Sequence, residues 1–171
     1  MKRAITALVL CIVAVACSGD DGGDSTDGSG VDGPPIVTEL LAAVDAVEDE
    51  LGAGQAYFEV TSTGQLVNVF VAIDDATAAV PYVYLDGELQ DPAPALEGAS
   101  GRTFLAADIT VEGTVLDRVD DELPDATVDA LSVEGTAGAG VRYVIAARSA
   151  QGGILDIVVA PDGAVLSVDP L

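Results

Sequence analysis

The sequence predicts an α+β fold of two tandem units, each one helix followed by three or four antiparallel strands. Two amphipathic segments recur 72 residues apart, and short apolar segments follow each of them. An Asp-Gly pair, typical of a tight hairpin turn, then follows the last long strand of each unit. The length of 171 residues suits one ordinary domain or two very small ones.

The two amphipathic segments are the first sign of a repeat. Val44–Gly52 and Leu116–Pro124 are identical at five of nine positions. Both carry apolar residues at helical spacing and acidic residues on the other face. We expect one helix to end at Gly52, which tolerates a left-handed backbone, and the other at Pro124, which lacks an N–H.

Strand candidates follow each helix and are separated by turn residues. They are 56–61, 66–73, 81–85 and a remnant at 88–90 in the first unit, and 127–133, 141–148, 154–160 and 164–168 in the second. The Pro and Gly content of residues 91–100 predicts a linker. Residues 104–111 are predicted to add one further strand. A helix on so small a sheet makes a marginal core, and two units that pack together or share a continuous sheet would be more stable. The domain prediction is a first repeat at 36–91, a linker at 92–111 and a second repeat at 112–171.

The first 16 residues predict a signal peptide, because Lys2 and Arg3 precede an uncharged apolar run too short to span a membrane. Ala14, Val15 and Ala16 come directly before Cys17, and small residues in this position resemble the bacterial lipobox. The resemblance implies cleavage between Ala16 and Cys17 and lipidation of Cys17, which would anchor the protein on the extracytoplasmic side of the cell membrane. The alternative is an ordinary secretory signal that leaves Cys17 free.

Residues 17–35 predict a flexible acidic tether between the lipidated Cys17 and the folded part. Gly, Ser, Thr, Asp and Pro dominate this segment, which cannot bury enough apolar area to fold. A calcium loop starting at Asp20 fails, because Val31 stands where a bidentate Glu is required.

Composition excludes several function classes. The chain has no His, so no Ser-His-Asp or Cys-His system can form. No phosphate loop is present, and 29 acidic against six basic residues make nucleic acid an unsuitable partner. The acidic clusters at 45–50 and 117–122 lie on the solvent faces of the predicted helices, where burial cannot tune a catalytic carboxylate. We therefore predict no enzyme and no cofactor, and leave metal binding open.

Two tyrosines are the candidate binding face. Tyr82 and Tyr84 lie two residues apart on one strand, so their side chains share one side of the sheet. On an open sheet they would form a binding patch, and the alternative is core packing with the hydroxyls at the rim. Arg142 and Arg148 are either outward sheet residues or the positive points of an anion site.

The second unit resembles a PepSY-type repeat. The segments 141–148 and 155–159 alternate apolar residues, and Asp162-Gly163-Ala164-Val165-Leu166 closes a hairpin. The resemblance covers residues 112–169 and, more weakly, 38–90, and the tandem arrangement is also similar to beta-lactamase-inhibitor-protein-like architectures. It implies a non-catalytic envelope module that inhibits or regulates another protein.

Two functions are compatible with these features of the sequence. The first is a lipid-anchored envelope lipoprotein that binds an envelope protein as a regulatory or inhibitory module. The alternative is an extracytoplasmic lipoprotein that binds calcium or a small ligand through loop carboxylates such as Asp86, Glu88 and Asp91.

Overall fold

One antiparallel sheet of ten strands and two α-helices make up most of the part of the chain that the structure describes. The structure is a computed structural model that describes residues 33–111, 114–138 and 140–171. The helices are α1 (Pro35–Leu51) and α2 (Thr114–Glu122). The strands are β1 (Ala56–Ser62), β2 (Leu66–Ile73), β3 (Ala78–Leu85), β4 (Glu88–Leu89), β5 (Leu96–Glu97), β6 (Phe104–Leu105), β7 (Ala126–Gly135), β8 (Val141–Ser149), β9 (Ile154–Val159) and β10 (Val165–Pro170).

The prediction of two tandem helix-plus-strand units is wrong. The strands follow one another across a single sheet in the order β10-β9-β8-β7-β1-β2-β3-β4, with β5 beside β3 and β6 beside β1. The connection is the antiparallel pair of β1 and β7, in which Val60 lies opposite Val133 and Ser62 opposite Leu131. This pairing removes two unpaired strand edges, each of which would otherwise expose a row of N–H and C=O groups.

Helix α1 covers part of one face of this sheet. Pro35 opens it in the first turn, where its missing N–H costs no hydrogen bond. Its predicted apolar face is confirmed at Leu40, Val44 and Val47, which are buried, whereas Leu51 at the end of the helix is exposed. The helix ends as predicted before Gly52, which has a φ of 91°.

Helix α2 lies before β7 as α1 lies before β1. Val115, Leu116 and Val119 are buried, and the helix ends two residues before Pro124. The buried residues of both helices belong to the same hydrophobic cluster as those of the strands. The described part of the chain therefore has one core that spans the sheet.

Two buried tyrosines connect the core to the segment between the two halves of the sheet. The hydroxyl of Tyr143 on β8 accepts a hydrogen bond from the N–H of Thr110 at 3.0 Å. Tyr57 on β1 packs against Phe104 of β6, with 5.8 Å between the ring centroids. Its hydroxyl is buried and has no hydrogen-bond partner among the described residues.

The predicted linker contains more structure than its composition indicated. Residues 91–100 include β5, which pairs with β3, and 104–111 include β6 and a short 3-10 turn rather than one long strand. The predicted Asp86-Gly87 turn is confirmed, with φ values of 53° and 81°. The linker thus extends the sheet instead of merely connecting two units.

Candidate functional site

The sheet has one face against the helices and one open face. Successive side chains of a strand point to opposite faces, so the register decides which residues lie on each. On β8, Tyr143, Ile145 and Ala147 are buried, whereas Arg142 before them and Arg148 after them are exposed. The open face is therefore the face that carries Arg142 and Arg148.

A row of side chains without charge crosses the open face, and we call it the uncharged row. The strand register aligns its members across seven strands, and all are half-buried. From β10 to β3 they are Ser167, Val158, Val144, Ser132, Thr61, Asn68 and Val83.

The centre of the uncharged row is held by hydroxyl hydrogen bonds. Thr61 and Ser132 join β1 to β7 with 2.7 Å between their side-chain oxygens. The Thr61 hydroxyl donates to Oε1 of Glu59 at 2.6 Å. Because a hydroxyl has one proton, Ser132 is the donor to Thr61. These bonds fix the side chains where the two halves of the sheet meet.

Two arginine–carboxylate pairs flank the uncharged row. Arg142 donates through Nε and Nη2 to the same oxygen of Glu134, at 2.9 and 2.7 Å. Arg148 donates through Nε and Nη2 to the two oxygens of Asp129. The hydrogen bond from Arg148 lowers the pKa of Asp129. The arginines are thus outward residues, as one sequence-based alternative held, and each already has a partner.

A cleft of about 500 Å³ lies at one end of the open face. Residues 96–102, which we call the strap, leave β3 and cross the sheet towards β1. Phe58 and Phe70 line the cleft beneath the strap, and Gly101 lies against the Phe58 ring. Arg102 and Arg142 line it as well. Sequence reasoning missed this cleft, since the strap lies in the predicted linker.

Phe58 reaches the cleft because β1 is irregular there. The register of β1 against β2 shifts between Tyr57 and Glu59, so Phe58 is the extra residue of a bulge. Tyr57 remains in the core while Phe58 faces the strap. A regular strand pattern would not place the side chains of Tyr57, Phe58 and Glu59 in this way.

The predicted tyrosine face lies on the other side of the sheet. Tyr82 is only 7% exposed and belongs to the core, and Tyr84 packs against the core as a half-buried residue. They share one face, as predicted, but it is the helix-covered face. The two side chains do not form an open binding patch, and their placement matches the core-packing alternative.

The predicted acidic loop residues do not converge. Asp86, Glu88 and Asp91 are exposed. Among the described residues, no group of three or more Asp, Glu, Cys or His side chains is arranged to hold a metal ion. No observation in this part of the chain favours the calcium alternative.

The predicted signal peptide, the Ala16–Cys17 cleavage point and nearly all of the tether lie outside the described residues. Pro35, the last residue assigned to the tether, opens α1. Within the described part of the chain, neither helix combines the length and the apolar character needed to cross a membrane.

Comparison with known proteins gives a fold likeness. No family model and no curated protein matches this chain. The solved structure of a suspected lipoprotein from Clostridium difficile 630 is similar, with a TM-score of 0.57 and 13% sequence identity. The match covers 75% of this chain and 90% of that one. At this identity the likeness shows a shared fold. The PepSY resemblance stays a prediction.

Proposed function

We propose that this chain is a membrane-anchored lipoprotein of the cell envelope that binds another protein through the open face of its sheet and catalyses no reaction. The small residues before Cys17 support the anchor, since they resemble a lipobox and so imply that Cys17 is lipidated. An anchor of two or more acyl chains holds a protein firmly on a membrane. The fold likeness to a suspected lipoprotein points the same way. Binding would regulate or inhibit the partner.

The uncharged row is the observation that carries the binding proposal. A fifth of all residues in the chain are charged, yet seven aligned positions across the open face carry no charge. The centres of protein interfaces are depleted of charged residues and are surrounded by a polar rim. The Arg142–Glu134 and Arg148–Asp129 pairs supply such a rim.

The charge of the rim indicates the kind of partner. Asp156 and Asp169 lie opposite each other on β9 and β10, and neither forms a salt bridge with a described arginine. The chain as a whole carries a formal charge of −23. We therefore expect a partner surface that is uncharged at its centre and basic at its rim, and a complex that weakens as salt screens these charges.

The anchor is tested by comparing two cysteine variants in cells. Cys17→Ser should abolish incorporation of labelled fatty acid and release the protein from the membrane fraction. Cys11→Ser, inside the predicted signal, is the matched control and should change neither. A Cys17→Ser protein that still carries lipid would contradict the proposal.

The binding face is tested by site-specific photo-cross-linking in the source cells. A photoreactive residue at Val144, in the uncharged row, should give a discrete adduct with one protein. The same residue at Asp49, exposed on α1, should not. The adduct should disappear in Val158→Glu and persist in Leu51→Glu, which alters an exposed leucine at the end of α1. Equal adducts from Val144 and Asp49 would refute the assignment of this face.

A further inference from the structure

The cleft beneath the strap combines an apolar lining with two guanidinium groups. Phe58, Phe70, Ala79 and Leu96 supply apolar surface, and the volume of about 500 Å³ lies in the range of small-molecule sites. Such sites are mostly apolar, with a few polar groups that fix the orientation of the ligand. The polar groups of this cleft decide which ligand it suits.

Two of the four described arginines line this one cleft. Arg142 is fixed by Glu134 through Nε and Nη2, and its Nη1 group has no acceptor among the described residues. Arg102 on the strap forms no salt bridge with any described residue. Both side chains therefore retain donors for an anionic group. A guanidinium matches the planar fork of a carboxylate.

The carboxylates of the cleft limit the charge of this ligand. Glu59, Glu97 and Glu134 also line it. Glu134 is paired with Arg142, and one oxygen of Glu59 accepts a hydrogen bond from the Thr61 hydroxyl. The remaining negative charge repels a dianion or a phosphate more strongly than a single carboxylate. The lining has three carboxylates against two guanidinium groups, so an anion has to be held by direct hydrogen bonds from the arginines and not by net charge. A monocarboxylate with an apolar body meets the least repulsion and fits the aromatic lining.

We propose that the cleft binds the carboxylate of an amphipathic organic acid, with Arg102 and Arg142 as its donors and Phe58 and Phe70 against its apolar part. This inference goes beyond the binding of a protein to the open face, because it requires only the cleft. The carboxylate can come from a free organic acid or from the C-terminus of a polypeptide that ends in an apolar residue. The chemistry is the same for both sources.

The test measures binding to the full chain, purified in an uncharged detergent, by NMR. The probes are N-acetyl-phenylalanine and an N-acetylated Gly/Ser-rich hexapeptide ending in phenylalanine, each as the free acid and as the amide. We expect the acids to give saturable shifts of the amide signals of Gly98, Gly101 and Gly135, which line the cleft. The uncharged amides should bind about tenfold more weakly or worse. Binding of both acids would show that a small acid suffices, and binding of the peptide acid alone would assign the site to a chain end.

Matched arginine variants distinguish the cleft from general surface charge. Arg102→Gln and Arg142→Gln should each weaken binding of the acid about tenfold. Arg148→Gln breaks the equivalent salt bridge outside the cleft and should leave binding unchanged. A thermal melt of each variant separates lost binding from lost folding, and Arg102→Gln breaks no salt bridge of the described residues. The proposal fails if acid and amide bind alike, if Arg148→Gln has the same effect as Arg142→Gln, or if no signal saturates.

Discussion

The backbone of Gly135 lies directly against the carbonyl group of Arg102. A β-carbon at Gly135 would stand 2.5 Å from the Arg102 oxygen and 2.8 Å from its carbonyl carbon. These neighbours are backbone atoms, so they cannot yield by a side-chain rotation. The approach holds the end of the strap close to the end of β7 and so closes one side of the cleft.

Gly135→Ala should therefore destabilise the protein and open the cleft. We expect a loss of about 1–3 kcal/mol in the free energy of unfolding, the usual cost of an extra carbon in a packed site. Gly138→Ala is the control, because its β-carbon would meet nothing within 4 Å. Urea denaturation of both variants measures the difference. Equal stability of the two variants would show that the strap moves freely.

The same substitution should change the free energy of unfolding differently at the two buried tyrosines. Tyr143→Phe removes the acceptor of the Thr110 N–H and should cost about 1 kcal/mol. Tyr57→Phe removes a buried hydroxyl that has no partner among the described residues, so stability should stay the same or rise. Urea denaturation of both variants tests this pair. If Tyr57→Phe cost as much as Tyr143→Phe, the Tyr57 hydroxyl would have to be hydrogen-bonded in solution.

The helices and long strands could be predicted because their patterns are local. The helical spacing of Leu40, Val44 and Val47 marks a buried face without knowledge of the rest of the chain. Alternation on β8 is equally clear, since Arg142 and Arg148 mark the open face and Tyr143 the buried one. Such elements are specified by their own residues.

The single sheet could not be predicted because strand pairing is not local. Nothing in β1 or β7 alone shows that Val60 and Val133 will lie side by side, since each strand would also fit the edge of a smaller sheet. The repeat at Val44–Gly52 and Leu116–Pro124 favoured two units, and whether these pack together or share one sheet stayed open for this reason. Whether β1 and β7 form the edges of two sheets or pair within one sheet depends on the whole arrangement of strands.

The sites of the tyrosines and of the cleft were ambiguous in the sequence for different reasons. Strand β3 is apolar on both faces, so alternation places Tyr82 and Tyr84 together without indicating which face is buried. The cleft depends on a bulge at Phe58 and on a strap that composition assigned to a linker. Arg102 is the only basic residue of that predicted linker, a signal that sequence reasoning did not use.

The Arg148–Asp129 pair predicts a local dependence on pH. The hydrogen bond from Arg148 lowers the pKa of Asp129 from the ordinary value of about 4. Since the lowered value belongs to the folded state, the stabilisation is present above about pH 4 and is lost as the pH falls through the folded-state pKa. A carboxyl-carbon NMR titration should find the pKa of Asp129 below its ordinary value in the natural protein and closer to that value in Arg148→Gln. Arg142→Gln is the control and should leave it unchanged. An unshifted Asp129 in the natural protein would mean that the pair does not persist in solution.

The turn between β2 and β3 contains three successive residues in the left-handed region. Asp74, Asp75 and Ala76 have φ values of 50°, 54° and 60°. The Thr77 hydroxyl donates to the carbonyl oxygen of Asp74 at 2.7 Å and holds the turn together. A left-handed conformation costs about 1–2 kcal/mol for a residue with a β-carbon, and alanine has no polar side chain to offset this cost.

Ala76→Gly should therefore raise the free energy of unfolding by about 1 kcal/mol, because glycine adopts this conformation without steric strain. The corresponding increase in Tm is about 2–4 °C for a chain of this size. Ala150→Gly is the matched control, since Ala150 lies in an exposed turn without a positive φ. There the added freedom of the unfolded chain should leave stability unchanged or lower it. A thermal melt of both variants decides the matter, and a loss of stability in Ala76→Gly would mean that the left-handed turn is not strained.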